Sequence, residues 1–222
     1  MSVIQSVHSY TLSNREGDLV LRPLTDVHLP LLYKWNSDPK VVYWSDDGND
    51  TSFAKETVRA IYSHVSKNAL HFLIEYKGRP VGDCWLQKMN LPDVVKSFPA
   101  DTDIRRIDVE IGECDCWGKG IGTTMLALLV QFAFEEQKAD VLYNVCSDYN
   151  VRSQRMQERL GFQRVRVEPN EEGNRAKFEY HYCLTQNEYF KQKIKRRPCG
   201  QRFLHLSVTI PFPTSPDSGR NP

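Results

Sequence analysis

The stretch Trp117–Thr123, WGKGIGT, constrains this chain more than any other. Gly118, Gly120 and Gly122 lie between two segments of opposite character. Before them, Arg105–Gly112 alternates: Ile107, Val109 and Ile111 fall on one face, Arg106, Asp108 and Glu110 on the other. That period of two predicts a half-buried strand. After them, Thr124–Phe134 is apolar nearly all round, with helical character running on to Gln137, which predicts a helix buried against a sheet. Glycine lets the backbone turn tightly and approach a ligand with no Cβ in the way. The start of a helix adds unpaired N–H groups and a partial positive charge. Together they form a cradle for a phosphate or pyrophosphate. Read alone, the run is equally a tight turn with no ligand.

The surrounding chain supplies the rest of a mixed α/β domain. Asp18–Pro23 reads as a strand closed by proline. Thr25 is a candidate N-cap for a helix reaching Trp35, and a second helix is expected over Phe53–Ser66. Leu70–Tyr76 and Pro80–Met89 pair through the turn Lys77-Gly78-Arg79. Asp46–Thr51 reads as an acidic loop and Leu91–Asp103 as a long connection carrying two prolines. Val141–Cys146 is a strand, Val151–Leu160 a helix ended by Gly161, and Phe162–Val167 with Lys177–Leu184 the last strand pair.

The glycine run at a strand-to-helix junction, then a strand over Ala139–Ser147, then Asn150-Val-Arg-Ser-Gln-Arg-Met-Gln-Glu-Arg-Leu-Gly-Phe162, resembles the GNAT superfamily of N-acetyltransferases. Their pattern is Q/R-x-x-G-x-G/A, a strand, then N-x-x-[AS]-x-x-x-[YL]-x-x-x-G-F. The resemblance is sharpest over residues 104–165 and extends from Leu19 to about Phe190. It implies the acyl-CoA N-acyltransferase fold, a mostly antiparallel sheet flanked by helices, with acetyl-coenzyme A as cosubstrate and no metal. Ile111, Trp117, Gly118, Lys119, Gly120, Ile121, Gly122, Thr123, Asn150 and Ser153 are the implied cofactor-binding residues. Trp117 stands where the family usually has Gln or Arg. A backbone N–H near Glu110–Ile111 would polarise the thioester carbonyl.

An ammonium group must lose a proton before it attacks, and a nearby carboxylate can take it. Asp108 and Glu110 are the candidate catalytic pair. Paired acids repel, which raises the proton affinity of one of them. Asp46, Asp47, Asp101, Asp103 and Asp108 are candidate substrate-binding acids, each able to offer a charge-assisted hydrogen bond to an ammonium. The same residues also read as solvated surface.

Two branches of the superfamily compete for the substrate. Arg106-Ile-Asp108-Val-Glu-Ile-Gly112, followed by Trp117–Thr123, is similar to aminoglycoside 6′-N-acetyltransferases. Many of those carry a second Asp where Val145 stands here. Glu110-Ile-Gly112 and Asn150-x-Arg-Ser-Gln-Arg155 are similar to ribosomal-protein N-terminal acetyltransferases and polyamine-acetylating relatives. Many members place a Tyr at Gln157 to protonate the departing thiolate; Ser153, Tyr149 or water are the candidate substitutes here. An acetyl-coenzyme A-binding module without catalysis is the third reading.

Charge separates the chain into two parts. Residues 191–222 hold seven basic residues and one acid; setting these aside from 29 basic and 28 acidic residues leaves 22 and 27 in 1–190, a net of −5. Residues 1–190 are thus expected to be an anionic domain suited to a cationic small-molecule amine rather than to nucleic acid. Residues 191–222, basic and then proline-rich, are expected to be a disordered tail. The longest apolar run is too short to cross a membrane and no secretory leader is visible. Six cysteines without a C-x-x-C pair argue for reduced thiols and against a metal site, hence a cytoplasmic protein. The resemblance implies a monomer or a homodimer.

Overall fold

The computed structural model describes residues 2–5, 8–46, 49–195 and 207–209. Strands β1 (Thr11–Ser13) and β2 (Leu19–Pro23) form a hairpin that Asn14 organises, its side-chain oxygen accepting the Leu19 N–H at 3.0 Å. The helix expected from Thr25 is broken in two. A 3-10 turn over Asp26–His28 gives way to α1 (Leu29–Asn36), because Pro30 has no N–H to continue the ladder and sits in the new first turn. Helix α2 (Pro39–Ser45) follows, a helix not anticipated from the sequence although Asp38 caps it and Pro39 opens it. Helix α3 (Lys55–Val65) then leads into β3 (Ala69–Tyr76) and β4 (Arg79–Lys88). Lys77 and Gly78 join these strands, both with positive φ, the mirror turn whose twist suits a hairpin.

The proline-bearing connection folds one short helix, α4 (Pro92–Lys96), before β5 (Ile104–Glu110). Helix α5 (Ile121–Gln131) begins at the glycine run, three residues earlier than the apolar pattern suggested, and continues as a π turn over Phe132–Glu136. After it come β6 (Val141–Ser147), α6 (Val151–Arg159), β7 (Gln163–Pro169), β8 (Phe178–Thr185), α7 (Gln186–Lys195) and β9 (Ser207–Thr209). The α7 helix crosses the boundary placed at residue 190, and β9 pairs with β1, so parts of the expected tail join the fold. The remainder, 196–206 and 210–222, lies outside the described residues.

Among the described residues nine strands form one sheet in the order β7-β8-β6-β5-β4-β3-β2-β1-β9. Every adjacent pair is antiparallel except β5 and β6. Alternation sorts the two faces. Phe72, Ile74, Cys84, Leu86 and Ile107 bury against α5, whose Met125, Leu126, Leu128 and Leu129 are closed to solvent. Leu73 packs on the opposite face with Trp35 of α1 and Val58 and Tyr62 of α3.

The parallel pair is what makes a cleft. Strands β5 and β6 pair only at Ile104–Val141 and Arg105–Leu142, then diverge. At the point of divergence the Asn144 side-chain oxygen accepts the Ile107 N–H at 2.9 Å, so a buried amide satisfies a backbone donor that the neighbouring strand has left.

Candidate active site

Beyond Glu110 the β4–β5 ladder slips by one residue. Asp83 faces Glu110, yet Glu113 donates its N–H to the Val81 carbonyl at 3.1 Å, so Ile111 and Gly112 together face Gly82. This is a bulge, which bends a strand and re-aims its groups. A Cβ on Gly82 would lie 2.0 Å from the Glu110 carbonyl oxygen, and one on Gly112 would lie 2.0 Å from the Trp35 ring. Glu113 locks the far side. It accepts from the Trp35 indole at 2.8 Å and pairs with Lys34 and Arg79. Burial works to raise its proton affinity, but the Lys34 and Trp35 hydrogen bonds outweigh this and hold the carboxyl below its ordinary range.

The glycine elbow follows. Gly118 and Gly120 have φ of +75° and +81°, the left-handed region, and α5 starts on the next residue. Trp117 has a definite structural part: its indole N–H donates to the Ile111 carbonyl at 2.7 Å, tying the elbow to the bulge. A cavity of about 450 Å³ opens on the first turn of α5. Ile111, Trp117, Gly118, Gly120, Ile121, Gly122, Thr123, Asn150 and Ser153 all line it. Lys119 does not; it is exposed and its charge acts on Asp115. The cations on this cavity are instead Arg152, Arg155 and Arg159, one stripe of α6 at helical spacing.

A second cavity, about 420 Å³, adjoins the first. The two share Trp44, Ser45, Val109, Glu110, Asn150, Ser153 and Met156, so Glu110 stands where they meet. The second cavity is acidic: Asp46, Asp108, Glu110 and Glu179 line it against the single cation Arg106. Arg106 is already committed, donating to Asp108 at 2.5 and 2.9 Å, while Gln87 donates to the other Asp108 oxygen at 3.0 Å. Among the described residues no ion pair reaches Glu110. Burial pushes its carboxyl up to about 7, with the Ser45 hydroxyl opposing. The raised acid of the expected pair is thus Glu110. The carboxyl facing it across the ladder is Asp83, and Asp108 is neutralised by an ion pair.

Other expected residues are distributed differently. Asp101 and Asp103 do not line either cavity. They precede β5 at its far end, where Asp103 pairs with Arg105 at 2.8 Å. Asp47 lies outside the described residues. Val145, where a second acid would stand, does line the acidic cavity, and a carboxylate reaches that wall from Glu179, paired with Ser147 on the neighbouring strand. Asn150 uses both ends of its amide structurally: it caps α6 by accepting the Ser153 N–H at 3.1 Å and donates to the Trp44 carbonyl at 3.0 Å.

The residues at the end of α2 close over the cleft between its two halves. Tyr149 donates its hydroxyl to the carbonyls of Tyr43 and Asp46 at 2.9 and 2.7 Å, which commits it as a tether. Arg175 donates to the Tyr43, Asp46 and Asp50 carbonyls and stacks on Tyr43. The Arg152 guanidinium lies between the Trp44 and Trp117 rings, 5.0 and 5.2 Å from their centres. Gln157, where many family members carry Tyr, is buried and donates to the Ser153 hydroxyl at 3.4 Å. Elsewhere, Glu168, Glu179 and His181 bring one potential ligand atom each within 4.8 Å of one another, a cluster in which Arg166 pairs with Glu168. No helix among the described residues is long and apolar enough to cross a membrane.

Residues 18–163 match the family model described as an acetyltransferase (GNAT) domain. An aminoglycoside N(6′)-acetyltransferase type 1 of Klebsiella pneumoniae is 23% identical over 166 residues, covering 69% of this chain and 78% of the relative. A solved structure of AAC(6′)-Ib with ribostamycin and coenzyme A superposes with a TM-score of 0.63 at 21% identity, covering 83% of this chain and 99% of the other. A spermidine N-acetyltransferase from Vibrio cholerae, solved with coenzyme A and spermine, gives 0.63 at 15% identity, covering 78% and 98%.

Proposed function

This chain belongs to the GNAT acetyltransferase family, an acetyl-coenzyme A-dependent N-acetyltransferase, and from that premise we propose that it acetylates the 6′-amine of an aminoglycoside, with Glu110 taking the amine's proton. The observation that carries the reading is the shared position of Glu110 between a cavity built on the glycine elbow and a cavity lined by acids.

The elbow cavity holds the cosubstrate. N–H groups in the first turn of α5, which have no partner within the helix, receive the pyrophosphate. Arg152, Arg155 and Arg159 add positive charge along the same wall. The pantetheine arm runs through the gap between β5 and β6 towards the bulge, where an N–H near Ile111 polarises the thioester carbonyl. Burial of both reactants between the sheet and the α2 closure excludes water and fixes their approach.

The acidic cavity holds the amine. Asp46 and Glu179 attract ammonium groups spread over a polycation, while Asp108 holds Arg106 away from them; several acids on one cavity suit an aminoglycoside, which carries several amines on a rigid frame. Glu110, with a proton affinity near neutrality, takes the proton that the attacking amine releases. The departing thiolate is a fair leaving group and draws its proton through Ser153 or water. The anionic balance of residues 1–190 and the identity to aminoglycoside acetyltransferases over 166 residues support this choice of acceptor.

A polyamine is the second reading, favoured by the same acidic wall and by the likeness to the spermidine enzyme's fold. Following free thiol while presenting acetyl-coenzyme A with kanamycin-like aminoglycosides, polyamines and peptides separates them. Thiol release that saturates with the aminoglycosides is the expected result. Release only with polyamines or peptides reassigns the acceptor, and coenzyme binding with no release from any amine removes the catalytic reading.

A further inference from the structure

Asp83 has no explained role in the reaction, yet its placement is unusual. It is fully buried on β4 and sits directly opposite Glu110 in the ladder. Opposed residues of an antiparallel pair bring their Cβ atoms to about 5 Å on the same face of the sheet. One Asp83 oxygen accepts the Tyr62 hydroxyl at 3.1 Å; the other, Oδ1, has no hydrogen-bond partner. No ion pair reaches Asp83 or Glu110 among the described residues. The Asn36 amide closes the ring, lying 3.4 Å from Glu110 and 3.5 Å from the Tyr62 hydroxyl.

Two opposed carboxylates with no cation, buried between a sheet and two helices, cannot both be ionised. The deeper one keeps the proton, since Glu110 borders both cavities and Asp83 borders neither. A protonated carboxyl is a donor, and a buried donor needs an acceptor. The Tyr62 hydroxyl already occupies one oxygen. The acceptor that faces the other across the ladder is the Glu110 carboxylate.

We propose that Asp83 remains protonated throughout the working range and acts as a positioning residue, donating a hydrogen bond from its carboxyl to the Glu110 carboxylate. The inference rests on the reading that Glu110 takes the amine's proton. The pair then holds one proton at rest and two after the amine has been deprotonated, and Asp83 never gives up its own. The hydrogen bond orients Glu110 and stabilises its charged form, which keeps burial from driving its proton affinity above the useful range. Other charged or titratable groups facing Glu110 are Asp108 with its Arg106 partner on the same strand, Tyr62 from α3 and Asp46 beyond α2. None of them is placed opposite it in the ladder.

Two measurements test this, one of which needs no activity. Infrared spectra of the ligand-free wild-type protein at about pH 9, where ordinary carboxyls are ionised, are expected to retain one carboxylic-acid carbonyl band, which Asp83→Asn removes. The second is the acid limb of kcat/KM against pH. Asp83→Asn keeps a donor, so the limb is expected to stay within about a third of a pH unit of wild type. Asp83→Val removes the donor, so the limb is expected to move up by about one unit. Absence of the acid band, a downward shift of about one unit in Asp83→Asn, or an unmoved limb in Asp83→Val overturns the proposal. A wild-type protein that transfers no acetyl group but retains the band overturns the catalytic reading instead.

Discussion

Replacing Glu110 by Gln is expected to trade activity for stability, with a magnitude set by the burial of its carboxyl. Glu110 titrates at about 7 in the fold, against an ordinary value of 4.5, because burial penalises its charge. Between those two values the folded protein binds more protons than the unfolded chain. Stability therefore falls as pH rises through that window, and the loss is complete above about pH 7. A difference of about 2.5 units corresponds to roughly 3 kcal/mol, an upper bound because water in the two cavities screens the charge. Asp83, pushed up by burial and by the Glu110 charge, acts in the same direction. Glu110→Gln removes the buried charge while keeping shape and hydrogen-bonding capacity. Urea denaturation at about pH 8 is expected to show the variant more stable by roughly 1–3 kcal/mol, with the advantage shrinking to a few tenths near pH 5. Thiol release is expected to fall roughly 10²–10⁴-fold, with coenzyme A affinity unchanged by calorimetry. A variant that is less stable than wild type at pH 8, or whose advantage does not depend on pH, refutes the reasoning.

Further substitutions probe the scaffold of the site. Gly112→Ala drives a Cβ into the Trp35 ring and is expected to cost about 1–3 kcal/mol in a thermal or urea melt; a melt equal to wild type would mean the bulge relaxes freely. Trp117→Phe loses the hydrogen bond to the Ile111 carbonyl, about 1 kcal/mol, and one wall of the Arg152 sandwich. Its expected signature is weaker coenzyme A binding with a melting temperature lower by only about 2–4 °C. Arg175→Ala removes its hydrogen bonds to three carbonyls in and after α2, so KM for the amine is expected to rise several-fold while KM for acetyl-coenzyme A moves less. Asp108→Asn releases Arg106 into the acidic cavity and is expected to raise the amine KM more than it lowers kcat; a loss in kcat matching that of Glu110→Gln would move the proton to Asp108.

The elbow was legible because its constraint is local. A period-two strand, glycines at positive φ and an apolar helix are all written in contiguous residues, and so was the face shared by Arg106, Asp108 and Glu110. What lay on other elements was not. Asp83 stands alone in a strand pattern, and only the β4–β5 register sets it opposite Glu110. The pairing of Asp108 with Arg106 was visible in spacing, two residues apart on one face, but its partner Gln87 was not. Helix α2 carried a readable signal in Asp38-Pro39, an N-cap followed by proline, hidden by the acidic loop that follows. Asp101 and Asp103 were grouped with the cleft acids by charge alone; strand direction puts them at the opposite end of β5.

The account turns on Glu110 receiving a proton from an aminoglycoside amine beside a coenzyme held by the elbow. Its most direct measurement is the pH dependence of aminoglycoside-driven thiol release, with the acetylated position mapped by mass spectrometry. The account predicts a 6′-acetylated product and a rate that rises with pH to a plateau above about 7, lost in Glu110→Gln. A rate independent of pH through that region, or one that survives in Glu110→Gln, contradicts it.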